Sequence, residues 1–122
     1  MIFTLTGAIG IIIWGIAHIA ITSKALGWFG RLSETNRKIV VMEWVMDGLA
    51  LVFIGLLVLL VEFQASDLAT AALVQRACAT MLIVTAVWTR IMGGTTRILS
   101  IVVCPLVKTT AAALIWFGSN AS

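Results

Sequence analysis

Four long apolar stretches, at roughly residues 2–22, 39–63, 68–92 and 98–117, take up most of this chain. Each is long enough for the ~20 residues that carry an α-helix across ~30 Å of hydrocarbon. A soluble domain of 122 residues has no interior for a sequence that is 61% hydrophobic and 11% charged, because small domains leave much of their surface in water. A membrane removes the difficulty, since lipid covers the outward faces while each helix satisfies its own backbone hydrogen bonds. The expected fold class is an all-α membrane protein, a four-helix transmembrane bundle forming a single domain over residues 1–122.

The polar segments between the stretches carry cap and turn chemistry. Ser33, Thr35 or Asn36 precedes the second helix, Ser66 and Asp67 the third, and Gly93, Gly94, Thr95 and Thr96 the fourth. The last two connections are short enough to demand antiparallel neighbours. The first is longer, and its segment from Leu26 to Gly30 holds Trp28 and Phe29 between glycines. Such a segment is an interfacial anchor or a lid. The first stretch reads as a mature span rather than a signal peptide, because it lacks a basic leader and is too long for a signal core.

Charge sets the orientation. Of the eight Lys and Arg residues, Lys24, Arg31, Arg37, Lys38, Arg90 and Arg97 fall in or beside the first and third connections, while the second has only Glu62 and Asp67. The positive-inside rule then makes the long first loop cytoplasmic and puts both termini outside. This is a multi-pass protein of a bacterial inner membrane or its equivalent. The net charge of +3 does not point to nucleic acid, because the basic residues form no stretch interleaved with aromatics.

Five ionisable residues lie inside the apolar stretches: His18, Glu43, Asp47, Arg76 and Lys108. Charge at membrane depth is costly, so such residues face the bundle interior and mark function. Counted along each helix, His18 and Glu43 share one level near the cytoplasmic end, and Asp47, Lys108 and Arg76 lie deeper. Glu43 and Asp47 are spaced i, i+4 and share a helix face, with Asn36 lower on it. Trp14 and Trp44 lie close by in sequence. Pro105, three residues before Lys108, is expected to kink the fourth helix there.

Paired carboxylates beside a histidine suit general acid–base chemistry, because neighbouring carboxyls split their pKa values. The expected catalytic residues are Asp47, Glu43 and His18, with Arg76, Lys108, Trp14, Trp44 and Asn36 binding substrate and Arg76 pairing with Asp47. The reading is an enzyme of isomerase, cyclase or epoxide hydrolase type acting on a lipophilic small molecule that enters from the membrane lipids. The alternatives are a non-catalytic accessory subunit of a larger membrane complex and a small proton-coupled transporter. A homo-oligomer fits any of these. One histidine and two carboxylates, without HxxxH or ExxH spacing, suggest no metal, and no cofactor is expected.

In outline the chain resembles the small four-helix multidrug transporters, whose membrane acid is on the first helix, where this sequence has His18. It is similar in outline to the four-helix DoxX-type proteins as well. No motif is shared with either, so no residue role carries over.

Overall fold

The computed structural model describes residues 1–93, 96 and 98–121, the last two as backbone only. Gly94, Thr95 and Arg97, which belong to the third connection, lie outside the described residues. Five helices form: α1 (Ile2–Ala20), α2 (Thr22–Trp28), α3 (Glu34–Gln64), α4 (Leu68–Gly93) and α5 (Leu99–Ala121). All but α2 are long and apolar enough to cross a membrane.

Three boundaries depart from expectation. The first long helix ends at Ala20 rather than near 22, and the loop that should follow holds the short helix α2. The second begins at Glu34, five residues before its apolar stretch, because the Ser33 hydroxyl accepts the Asn36 N–H at 3.2 Å and caps it. The fourth runs on to Ala121, through Pro105. At the start of α4 the Asp67 carboxylate accepts the Ala69 N–H at 3.0 Å and the Thr70 hydroxyl at 2.5 Å. The bond from Thr70, followed by that from Ala69, holds this exposed carboxyl below the usual carboxylate range.

The long helices lie side by side in the order α3, α1, α5, α4. Small residues set the α1–α3 contact. A Cβ on Gly48 would come within 2.9 Å of the Gly15 carbonyl, and one on Gly55 within 2.8 Å of the Ala8 carbonyl. Gly15 faces Gly48 and Ala8 faces Gly55, so the two helices run antiparallel with matched seven-residue spacings. Backbones approach this closely only where side chains are absent or minimal, as in helix pairs packed within membranes. Gly7 against the Ala111 carbonyl makes the equivalent contact between α1 and α5.

Ile11, Leu51, Val58, Leu82 and Ile115 fill the interior between these helices, each almost wholly buried. Outward positions are apolar too: Phe53, Leu60, Leu73 and Phe117 are all more than half exposed. A bundle apolar on its outside as well as its inside is built for lipid rather than water.

The helices α3 and α4, consecutive in sequence, touch least of the neighbouring long pairs. Near their short connection Gln75 Nε2 donates to Glu62 Oε2 at 2.6 Å. Toward the other end, where α3 begins and α4 finishes, a cavity separates them. This is the basic end of the molecule.

Candidate functional site

The inward face of α3 carries Trp44, Gly48, Leu51, Ile54, Gly55 and Val58, a spacing of threes and fours that follows the helical repeat. Asp47 flanks this stripe and is half-buried; Glu43, one position from Trp44 on its other side, is exposed. On α5, Cys104, Lys108 and Ala112 stack at intervals of four on the buried face. Thr89 reaches the same level from α4, and His18 from the last turn of α1.

Lys108 is the largest fully buried side chain among the described residues. Its Nζ donates to Asp47 Oδ1 at 3.3 Å and to Thr89 Oγ1 at 3.2 Å. The Thr89 hydroxyl accepts that bond while donating to the Thr85 carbonyl at 2.8 Å. An isolated ammonium in such a place would be prohibitively costly, so the carboxylate of Asp47 is what allows Lys108 to remain there. The two ends of this pair are not alike: the Lys108 side chain is 2% exposed and that of Asp47 is 35%.

His18 Nε2 lies 3.5 Å from Asp47 Oδ2, near enough for electrostatic contact but not aligned as a hydrogen bond. Both ring nitrogens are buried with no hydrogen-bond partner. The ring is held instead by stacking on Trp44, with centroids 4.0 Å apart and planes 11° from parallel. The Trp44 indole N–H donates to the His18 carbonyl at 2.6 Å. That carbonyl belongs to the last turn of α1, where the helix no longer supplies a donor. One tryptophan thus anchors both the ring and the backbone of His18.

Trp28 and Phe29, at the end of α2, approach Trp44 edge-on, with centroids 6.4 and 6.0 Å away. The chain then turns at Gly30, whose φ of +74° favours a residue without a Cβ. Trp14 lies beside the Cys104 thiol, and its indole nitrogen is buried without a hydrogen-bond partner.

A cavity of about 410 Å³ lies against this cluster, lined by His18, Glu43, Asp47, Thr89 and Cys104 within a largely apolar wall that includes Phe29, Ile39 and Ile101. Its size falls within the range of small-molecule sites. A larger cleft of about 740 Å³ opens between Trp14, Trp28 and Leu99, but none of its described lining residues is ionisable. The ionisable residues therefore line the smaller space.

Arg76 and Asn36, expected at the site, lie away from it. The expected Arg76–Asp47 pair is replaced by Lys108–Asp47: Arg76 sits toward the end of α5, where its Nε donates to Ser119 Oγ at 3.3 Å and its guanidinium lies 5.6 Å from the Trp116 ring centre. Asn36 is exposed in the first turn of α3 and does not line the cavity. Glu43 lines it together with Asp47, but makes no ion pair with His18. Thr89 went unread in the sequence, because a helical threonine that bonds its own backbone gives no outward sign of a second partner. Comparison with known proteins finds no matching family model, no matching curated protein and no matching solved structure.

Proposed function

We propose that this is a four-span membrane protein, with both termini outside and the basic end in the cytoplasm, that binds a lipophilic small molecule in the cavity between α3 and α4 and performs acid–base chemistry on it at Asp47. The observation that carries this reading is the asymmetry of the buried pair. Lys108 is enclosed and bonds one oxygen of Asp47, while the Asp47 side chain, 35% exposed, lines the cavity. A carboxylate that opens on a largely apolar cavity is placed to accept a proton from a molecule bound there.

His18 would act through Asp47 rather than on the substrate directly, since its nitrogens are buried. It is placed to steady the carboxylate electrostatically. In this reading the gap between α3 and α4 opens to the lipid, which would let a lipophilic molecule enter without crossing water.

The interior beyond the site argues against a relay from one membrane face to the other. Between the Lys108–Asp47 pair and the Glu62–Gln75 bond lie Leu51, Ile54, Val58, Leu82 and Ile115, all buried and all apolar. Such a layer offers a proton no stepping stones.

The orientation has its own test. Tags on either terminus should be accessible only from outside the cell, because six of the eight Lys and Arg residues lie at the opposite end; a tag reached only from the cytoplasm would reverse the arrangement. Occupancy of the cavity is tested by Val40→Trp, which places an indole in the cavity wall without touching the Asp47–Lys108 pair. Native mass spectrometry of the wild-type protein, released gently from its own membrane, should show a bound small molecule that the variant lacks. An adduct carried equally by both, or by neither, would contradict the proposal.

A further inference from the structure

We infer that the molecule this cavity takes is a lipophilic amine, bound as its ammonium ion with the nitrogen between Asp47 and Glu43. The inference rests on the proposed cavity reading and adds the chemical class of the ligand.

Nearly every hydrogen-bond donor around the cavity is already committed within the protein. The Trp44 N–H goes to the His18 carbonyl, the Thr89 hydroxyl to Thr85, and the Thr96 hydroxyl to Gly93. Lys108 directs two of its three N–H donors to Asp47 and Thr89 and does not line the space. Among the described lining residues, Ser100 has the one hydroxyl not so committed. Acceptors are in surplus: a carboxylate has about four lone-pair sites, Asp47 uses only some of its own, and Glu43 has no hydrogen bond or ion pair within the described structure.

His18 does not alter this balance: its ring nitrogens are buried and have no hydrogen-bond partner, and an imidazole brings a donor as well as an acceptor. A ligand that donates hydrogen bonds would meet the free lone pairs of the two carboxylates, whereas one that only accepts them would add to the surplus.

Charge separates an ammonium from a neutral alcohol. The Asp47 and Lys108 charges offset each other, and Glu43 contributes a further negative charge, so among the described lining residues the balance is negative. Walls such as Phe29, Ile39 and Ile101 suit the hydrocarbon part of the molecule. Glu43 stands one helical turn toward the basic end from Asp47, where it would meet an entering cation first.

The test uses the full chain in phosphatidylcholine nanodiscs with three probes of matched chain length: dodecylamine, dodecanol and dodecanoate. Saturable binding should be found for dodecylamine, and at least tenfold weaker binding for the other two. Glu43→Gln, at an exposed position where folding is not at risk, should weaken the amine about tenfold and leave dodecanol unchanged. Val40→Trp should abolish saturable binding of the amine. If dodecanol or dodecanoate binds as tightly as the amine, or if Glu43→Gln leaves the amine's affinity unchanged, the amine assignment is overturned while the cavity reading stands. If no probe binds saturably and no native molecule is retained, the cavity reading falls with it.

Discussion

Replacing Asp47 by leucine is expected to destabilise the bundle by about 3–5 kcal/mol, the cost of stranding a buried charge. What remains is the Lys108 ammonium, 2% exposed, with only the Thr89 hydroxyl to bond. The reverse change, Lys108→Leu, should cost less. It leaves Asp47, whose side chain is 35% exposed to the cavity, where water can solvate the carboxylate or a proton can neutralise it. Joint replacement by Asp47→Leu and Lys108→Leu should recover much of the loss, because a well-packed apolar pair is often as stable as the ion pair it replaces. Thermal unfolding of the single and double variants in one lipid composition gives the coupling. Equal losses in the two single variants would contradict the asymmetry, and a double variant no better than Asp47→Leu would show that the two residues are not partners.

The four long helices were legible because each is apolar over a length that suits a membrane. The helix ends were not, because hydropathy marks where the membrane stops, and the polar turn from Glu34 to Lys38 continues α3 past that point under its Ser33 cap. Helix α2 escaped for a related reason. Seven residues do not hold a helix alone, and this one depends on burying Ala25 and setting Trp28 against Trp44.

Within the site, spacing along a helix revealed that Glu43 and Asp47 share a face, and counting gave approximate depths. Neither quantity says which helices are neighbours. With α1 and α5 at the centre of the row, Lys108 on α5 meets Asp47, whereas Arg76 on α4 sits beyond the apolar layer beside Ser119. The short connection at Asp67 demands that α3 and α4 be antiparallel neighbours, which does not say how closely they pack away from it. They meet at that connection and diverge from it, and the resulting space is what turns a charge pair into a candidate site. The pairing of Gly15 with Gly48 and Ala8 with Gly55 depends on the register between two helices, which one helix's pattern does not contain.

The second large effect is expected from Asp47→Asn. The amide keeps the shape of the carboxylate and can still accept from Lys108, so packing is largely preserved, but it takes up no proton. Removing a general acid or base lowers turnover by roughly 10²–10⁴-fold. The most direct measurement of the proposed chemistry incubates lipid extract from the native membrane with the wild-type protein or with Asp47→Asn, each in nanodiscs, and follows every lipophilic species by chromatography and mass spectrometry. Thermal unfolding is recorded for both, so that a loss of activity is not mistaken for a loss of fold. The account predicts that the wild-type protein consumes one species and forms a product of the same mass, or of that mass plus water, while a folded Asp47→Asn protein leaves it essentially unchanged. Conversion by Asp47→Asn at the wild-type rate, or no conversion by either protein, would contradict the account.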